Sequence, residues 1–316
     1  LTFLFALTVT GCGGLKDVGV RGNVGNSILE CSNLGTSQTT CPSSADNVIP
    51  ITVGGTLDGS YQNEPVVSVK VCAPGTSTCK TIDNILLDTG SYGLRIFGSE
   101  LSSLGLSTVT YAGKDLAECV VFGTGSMWGP IKEADIYLGG EPVLSSMSIQ
   151  SVDTSYYNSA IPSGSPDCSD SDNDPAVAGY NGIMGVGGTQ YDTPWANYYS
   201  CAAGACSSVS IGDMSPTLQN PVYALTGTAS ADGNGLAIIL PQLTAAGSGT
   251  ATGCMVLGIN TQTNNVPDSV TVLPATVFWN FQTVFDGTTY TDSFIDSGTN
   301  GYAIPATTSL PLCSGS

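Results

Sequence analysis

The chain has 316 residues, 41% of them hydrophobic, and carries 25 Asp and Glu against 7 Lys and Arg, a net charge of −18. This charge argues against nucleic acid as a partner, because a phosphate backbone would be repelled, and against a basic helix lying on a membrane. The chain has no histidine, which excludes Ser-His-Asp and Cys-His catalysis and imidazole zinc sites within it, so its acid–base chemistry must come from carboxylates.

The beginning of the chain is typical of an export leader. Residues 1–12 start with an apolar run that is too short to span a bilayer and that is typical of a signal h-region. Val9-Thr10-Gly11-Cys12 resembles the lipobox of bacterial lipoproteins. We therefore predict the end of a signal peptide over residues 1–12, with Cys12 lipidated and anchoring the protein in a membrane. The alternative is an ordinary secretory signal with Cys12 upstream of the cleavage site.

The eleven cysteines favour disulfides in an oxidising compartment. Lipidation of Cys12 would leave ten, an even number that allows five disulfides. We predict a clip between Cys31 and Cys41 within a flexible, Gly/Ser/Asn/Thr-rich tether over residues 13–46. A thiolate metal cluster is disfavoured because no CxxC pair exists, and we expect neither a metal nor a cofactor. The pairs with short, closable spacings are Cys31/Cys41, Cys72/Cys79 and Cys201/Cys206.

From Val48 onward the sequence predicts an all-β protein. Short runs rich in Val, Ile, Thr and Tyr are separated by Gly, Pro, Asn and Asp, and convincing amphipathic helices are scarce. Many short strands imply sheets that pack against each other. The clearest predicted strands cover residues 66–72, 85–87, 136–138, 236–240 and 270–273.

An internal repeat links the two halves of the chain. Residues 86–96 (Leu-Leu-Asp-Thr-Gly-Ser-Tyr-Gly-Leu-Arg-Ile) are echoed by residues 294–304 (Phe-Ile-Asp-Ser-Gly-Thr-Asn-Gly-Tyr-Ala-Ile). Further upstream in each half, Asn47-Val48 is echoed by Asn265-Val266. The repeat predicts two related lobes that each contribute one Asp.

Two such turns facing each other can carry acid–base chemistry without histidine. Glycine permits a tight turn and a close approach, while hydroxyl and backbone N–H groups can fix the rotamers of Asp88 and Asp296. Two adjacent carboxylates in a site of low dielectric constant share one proton. One can then take a proton from water while the other donates to a carbonyl oxygen. The alternative is a pair of turn aspartates that only cap their loops.

These motifs resemble the pepsin-like aspartic peptidases. Residues 88–91 (Asp-Thr-Gly-Ser) and 296–299 (Asp-Ser-Gly-Thr) are similar to the two active-site loops of that family. Residues 121–129 (Val-Phe-Gly-Thr-Gly-Ser-Met-Trp-Gly) are similar to the flap hairpin that closes over substrate, and 134–140 to the strand after it. Residues 181–185 (Asn-Gly-Ile-Met-Gly) are similar to the segment that threads through the first loop.

The resemblance implies a bilobal, all-β aspartic endopeptidase of the bacterial cell envelope, with lobes over residues 47–205 and 206–316. Asp88 and Asp296 would be the catalytic residues, acting on a peptide or protein substrate that lies extended in the cleft. The alternative is an inactive pepsin-fold surface module that binds a peptide or a glycan. The supporting residues would be Thr89, Gly90, Ser91, Ser297, Gly298 and Thr299, and the flap residues Phe122, Gly123, Thr124 and Gly125.

Three features depart from the family pattern. Phe122 stands where the flap usually carries a Tyr, whose hydroxyl joins the hydrogen bonds beside the dyad. Arg95 stands where a residue near the first loop is typically aromatic. The chain ends at Ser316, so we expect the second lobe to be incomplete, this chain alone to be inactive or unstable, and the peptidase to be the full-length protein.

Two further resemblances concern shorter stretches. The Cys72-Ala-Pro-Gly-Thr76 stretch, together with the Asp-Thr-Gly-Ser loop after it, resembles an uncharacterised family of bacterial exported proteins. Asp170-x-Asp172-x-Asp174 resembles the start of a calcium loop, but the required Gly and bidentate Glu are absent. We therefore favour a solvated acidic loop over a calcium-stabilised structural envelope protein.

Overall fold

The computed structural model describes residues 4–8, 41, 45–54, 57, 63–123, 125–243, 248–267, 270–301 and 303. Cys12, Cys31, Thr124 and most of the predicted tether lie outside these residues. The all-β class is confirmed, because strands dominate and the α-helices are single turns. The strands are β1 (Leu4–Thr8), β2 (Val48–Val53), β3 (Pro65–Cys72), β4 (Cys79–Asp88), β5 (Tyr92–Phe97), β6 (Thr110–Tyr111), β7 (Lys114–Val121), β8 (Ser126–Tyr137), β9 (Leu144–Val152), β10 (Gly182–Val186), β11 (Ala196–Ala202), β12 (Ala205–Val209), β13 (Gly235–Ile239), β14 (Ala251–Leu257), β15 (Phe281–Phe285) and β16 (Thr288–Ser293).

Short helical turns connect these strands. The α-helical turns are α1 (Gly98–Leu101), α2 (Pro175–Ala178) and α3 (Pro221–Ala224). Both α2 and α3 begin with a proline in the first turn and a side-chain cap, Asp174 for α2 and Asn220 for α3, as is common at helix N-termini. Among the described residues, 3₁₀ turns cover Ser102–Leu104, Asn158–Ala160, Leu225–Gly227 and Asp232–Asn234.

Four of the five strands predicted from sequence coincide with β3, β4, β8 and β13. The predicted strand over residues 270–273 is wrong, since this segment is irregular and its residues are exposed. Pro267 and Pro274 bracket it, and proline cannot donate to a sheet ladder. In the part of the chain that the structure describes, no strand pairs with it.

One large sheet contains fourteen strands of the described chain, and β15 and β16 form a separate hairpin. The order is β1-β13-β14-β2-β3-β4-β10-β5-β9-β8-β7-β11-β12, with β6 beside β7. The long strand β8 pairs with β7 through its first half and with β9 and β3 through its second half. The sheet therefore folds back on itself and encloses a core.

The core occupies both faces of the strand that leads to the first Asp loop. Ile85 and Leu87 of β4 point into the main cluster, whereas Leu86 points into a second cluster on the other face, as expected when side chains alternate along a strand. The last part of β4, residues 85–87, is therefore a continuous apolar run. Fully buried members of the main cluster include Val69, Val71, Ile85, Leu87, Leu94, Ile96, Ile136, Ile149 and Met184.

Strand pairing joins the two halves of the sequence. β14 pairs antiparallel with β2, and the carbonyl oxygen of Leu257 accepts hydrogen bonds from the side-chain amides of both Asn47 (2.9 Å) and Asn265 (3.0 Å). These are the two asparagines that the sequence repeat relates. The β11–β12 hairpin crosses the predicted lobe boundary between residues 205 and 206, and the division into two lobes stays a prediction.

Four disulfides join cysteines of the described chain. Those between Cys72 and Cys79 and between Cys201 and Cys206 have the short spacings expected from sequence. The predicted Cys31–Cys41 clip is wrong, because Cys41 bonds to Cys254. The reason is the pairing of β2 with β14, which brings Cys254 close to the segment before β2. The fourth disulfide joins Cys119 to Cys168.

The disulfides indicate an oxidising, extracytoplasmic compartment, because such bonds are rarely kept in the cytosol. Among the described residues, no helix combines the length and the apolar character needed to cross a bilayer. β1 lies within the predicted leader and pairs in parallel with β13. Cleavage of a leader and lipidation of Cys12 stay predictions.

Candidate active site

The first Asp loop connects β4 to β5. β4 ends at Asp88, whose side chain is only 6% exposed. One carboxyl oxygen, Oδ1, accepts a hydrogen bond from the backbone N–H of Gly90 at 2.7 Å, and Oδ2 accepts one from the hydroxyl of Ser91. The loop's own backbone and hydroxyl groups therefore fix the rotamer of this carboxyl group.

The second Asp loop repeats this arrangement atom for atom. Oδ1 of Asp296 accepts a hydrogen bond from the backbone N–H of Gly298 at 2.8 Å, and Oδ2 accepts one from the Thr299 hydroxyl at 2.7 Å. Asp296 is half-buried and Thr299 is exposed. The sequence repeat thus corresponds to a repeat of local structure.

Reciprocal hydrogen bonds clamp the two loops together. The backbone N–H of Thr89 donates to Oγ of Ser297, and the backbone N–H of Ser297 donates to Oγ1 of Thr89, both at 3.0 Å. Each hydroxyl in turn donates into the other half, from Thr89 to the carbonyl oxygen of Ile295 at 2.8 Å and from Ser297 to that of Leu87 at 2.6 Å. Four bonds related by approximate twofold symmetry therefore fix the relative position of the loops.

The glycines let the carboxyl groups come close to the opposite loops. A Cβ atom on Gly90 would lie 2.7 Å from Cγ of Asp296, and one on Gly298 would lie 2.8 Å from Cγ of Asp88. Both distances are shorter than non-bonded carbon atoms tolerate, so any larger residue at either position would push the carboxyl groups apart. The two carboxyl groups are held side by side.

Burial and a neighbouring charge change the pKa of Asp88. Loss of solvent around Asp88, followed by the charge of Asp296, raises the pKa of Asp88 from 3.8 to about 6, although hydrogen bonds from Ser91 and Gly90 act in the opposite direction. A hydrogen bond between the two carboxyl groups raises the pKa further. Asp88 therefore keeps its proton to a higher pH than an ordinary aspartic acid does.

The segment over residues 181–185 packs beside the first Asp loop. It forms β10, which lies between β4, where it runs parallel, and β5, where it runs antiparallel. Gly185 lies opposite Asp88, and a Cβ on Gly185 would lie 2.3 Å from the backbone nitrogen of Tyr92. The backbone N–H of Gly187 donates to the carbonyl oxygen of Ser91 at 2.9 Å. The loop is therefore held by main-chain contacts on both sides.

The predicted flap is a hairpin formed by β7 and β8. Its turn is closed by a hydrogen bond from the backbone N–H of Phe122 to the carbonyl oxygen of Gly125, at 2.8 Å. Phe122 is half-buried and packs on the cluster that contains Leu86, two residues before Asp88. Gly123 is exposed at the tip, and Thr124 lies outside the described residues.

A buried charged cluster next to the first loop escapes the sequence analysis. Arg95 forms ion pairs with Glu118 at 2.5 Å and with Asp192 at 2.7 Å. The sequence reading identifies Arg95 only as a departure from the family pattern and does not identify either acid. A usable signal was present, because an arginine inside the apolar run 92–97 of a chain with 7 basic residues needs buried acidic partners.

The acidic loop over residues 167–174 shows no metal site. Across the described residues, no group of three or more Cys, Asp or Glu side chains is arranged to hold a metal ion. Asp174 accepts a hydrogen bond from Ala176 as the cap of α2, and Asp167 accepts two from Ser169, which lower its pKa. These carboxylates have local structural partners.

Comparison with known proteins gives a match over most of the chain. A family described as a protein of unknown function, DUF3443, is matched by residues 43–316. The matched part contains both Asp loops, the hairpin and β10. No curated protein matches the chain. The chemistry of the site therefore has to be inferred from its geometry.

Proposed function

This chain belongs to the DUF3443 family of proteins of unknown function, and we propose that it is the core of an aspartic endopeptidase. In this proposal Asp88 and Asp296 activate a water molecule that attacks a peptide bond. The substrate is an unfolded or extended peptide or protein.

The observation that carries the proposal is the clamp between the loops. The reciprocal bonds of Thr89 and Ser297 and the close approach of Gly90 and Gly298 to the opposite carboxyl groups bring two acids together that are far apart in sequence. If the aspartates only capped their loops, they would not need to lie side by side. Bringing two like charges together costs stability.

The proposed reaction needs one proton on the dyad at the start. The ionised carboxylate takes a proton from water as the water oxygen attacks the carbonyl carbon, and the protonated carboxyl donates its proton to the carbonyl oxygen. The carbon–nitrogen bond then breaks as the dyad delivers a proton to the leaving nitrogen. A proton from the tetrahedral intermediate returns to the dyad, which regains its single shared proton.

In this proposal an extended substrate binds beside the β7–β8 hairpin. The β7–β8 hairpin has an exposed Gly123 at its tip and an apolar Phe122 at the start of its turn. A peptide between this hairpin and the Asp loops would bind by pairing its backbone with strand edges. Phe122, Gly123, Thr124 and Gly125 are then substrate-contacting residues.

Location follows from the disulfides and the leader motif. The disulfides place the protein in an oxidising compartment. We propose in addition that lipid attached to Cys12 holds it at the bacterial cell envelope, where the substrate would be another envelope or extracellular protein. Mass spectrometry of the mature N-terminus tests this, since a diacylglyceryl group on Cys12 is expected and a cut beyond Cys12 would contradict it.

The experiment that tests the activity is cleavage of an unfolded protein by the full-length protein at acidic pH. Asp88→Asn should lower the cleavage rate by about a thousandfold or more, because it removes one half of the dyad. The matched control is Asp292→Asn, which changes an exposed Asp of β16 outside the site and should leave the rate unchanged.

Each result of this experiment has a distinct meaning. Cleavage that survives Asp88→Asn would remove the dyad from the mechanism. A folded full-length protein that cleaves nothing, yet binds a statine-type peptide through Asp88, would support a non-catalytic binding module in place of the peptidase.

A further inference from the structure

The buried cluster around Arg95 has a specific geometry. The Arg95 side chain is 1% exposed, and Nη2 donates to Oε1 of Glu118 at 2.5 Å and to Oδ2 of Asp192 at 2.7 Å. Nη1 donates to the carbonyl oxygen of Tyr92 at 2.6 Å. A single guanidinium group therefore holds two carboxyl groups and one backbone carbonyl, which suits its planar fork of donors.

The partners of Arg95 lie on its own strand, β5, and on two other elements around the candidate active site. Tyr92 directly follows Ser91, which holds the carboxyl group of Asp88. Glu118 lies on β7, the first strand of the hairpin. Asp192 lies in the loop that follows β10. Movement of β7 or of this loop relative to β5 would break a bond to Arg95.

Arg95 also lies over the ring of Phe122 in the turn of the hairpin. Its guanidinium carbon lies 5.9 Å from the centre of the Phe122 ring, within the range of a cation–π contact. Because the backbone N–H of Phe122 closes the turn with Gly125, this contact fixes the ring at the base of the turn.

A gain in folding stability does not by itself explain the buried charged cluster around Arg95. Loss of solvent and the charge of Glu118 raise the pKa of Asp192 well above its ordinary value, although the charge of Arg95 and a hydrogen bond from Tyr198 act in the opposite direction. In the described part of the chain, Arg95 Nε, Glu118 Oε2 and Gln150 Oε1 are buried without a hydrogen-bond partner. Buried ion pairs and unpaired polar atoms cost as much as they return, so a different role has to explain them.

We propose that Arg95 is a positioning residue that holds the hairpin turn at Phe122 in a fixed place relative to the Asp88 loop. Arg95 acts through Phe122, Glu118 and the Tyr92 carbonyl and does not itself touch substrate. The part of this proposal that concerns catalysis rests on the proposed function. The part that concerns the position of the hairpin does not rest on it, because the contacts of Arg95 exist without substrate.

The first test measures hydrogen exchange in the full-length protein and needs no activity. In Arg95→Met, amides of residues 119–127 should exchange about tenfold faster, since local opening follows the lost contacts, while amides of β3 and β4 near Cys72 should not change. The matched control is Lys80→Met, which removes the half-exposed ion pair of Lys80 with Glu100 and should leave the hairpin unchanged.

Two further variants keep the test decisive if Arg95→Met does not fold. Phe122→Leu removes the ring contact and leaves the ion pairs of Arg95 in place. It should also speed hydrogen exchange in the hairpin. The triple variant Arg95→Met, Glu118→Gln, Asp192→Asn removes all three charges together, and it should fold with a loosened hairpin. Normal hairpin exchange in the folded triple variant, or loosening spread evenly over the sheet, would overturn the proposal.

The second test measures cleavage and separates the two proposals. If the peptidase proposal is right, Arg95→Met or the triple variant should lower kcat about tenfold, because a displaced hairpin no longer holds the substrate against the Asp loops. Asp88→Asn should abolish cleavage yet leave hairpin exchange unchanged. Absence of cleavage in every protein, with a loosened hairpin in the Arg95 variants, would overturn the peptidase alone.

Discussion

At the scale of single residues, burial decides what Asp88 can do. Its carboxyl group sits at the end of a strand that is apolar on both faces, beside a second carboxyl group. Two hydrogen-bond donors, from Gly90 and Ser91, replace the solvent there. They stabilise the ionised carboxylate less than bulk water does. The same group on an exposed loop would be an ordinary acid without a shared proton.

This raised pKa makes a prediction about stability. A carboxyl group whose pKa rises from 3.8 unfolded to about 6 folded favours the folded state below pH 4 and loses that contribution as the pH rises through 6. The loss is of the order of 2–3 kcal/mol. Asp88→Asn cannot ionise, so its free energy of unfolding relative to wild type should increase between pH 4 and 7. Denaturant titrations across this range measure the difference.

The control for the pH experiment is Asp292→Asn, because Asp292 is exposed. Its free energy of unfolding should follow that of the wild type at every pH. Parallel pH curves for wild type and Asp88→Asn would show that Asp88 titrates as an ordinary surface acid, which contradicts a buried dyad.

At the scale of elements, the two Asp loops hold each other, and β10 holds the first loop from the other side. The first loop is surrounded by main chain, with β10 paired to both β4 and β5. The second loop gains its fixed position through the hydroxyl exchange with the first. A site built on one strand end and on reciprocal bonds is rigid, as the proposed activation of water between two acids requires.

The reciprocal clamp predicts different effects of two substitutions at Ser297. Ser297→Ala removes one bond accepted from Thr89 and one donated to the carbonyl oxygen of Leu87, and it should lower the free energy of unfolding by about 2 kcal/mol. Ser297→Thr keeps the hydroxyl and copies the residue that the first loop carries at this place, so it should cost less than half as much. Thermal and denaturant melts compare them, and equal losses would contradict the clamp.

At the scale of the whole molecule, local sequence patterns were more informative than long-range ones. The Asp loops could be predicted because each motif closes on itself through bonds between residues two or three positions apart. The Cys31–Cys41 clip and the strand over residues 270–273 were wrong, because both outcomes depend on which distant strand pairs with which. The Arg95 cluster was missed for the same reason, since its acids come from distant segments.

The Cys41–Cys254 disulfide yields a prediction at this largest scale. It links residues 213 positions apart, whereas the Cys72–Cys79 disulfide links residues 7 positions apart. In the chain-entropy account, a bond that closes a longer loop restricts the unfolded chain more, by about 3 kcal/mol for this ratio of lengths. Cys41→Ser with Cys254→Ser should therefore destabilise the protein by about that much more than Cys72→Ser with Cys79→Ser does. Denaturant unfolding of the two double variants, in which both cysteines of the disulfide are replaced, measures the difference. Equal losses would show that the unfolded chain keeps the two halves together without the bond, and that the pairing of β2 with β14 is formed by other contacts.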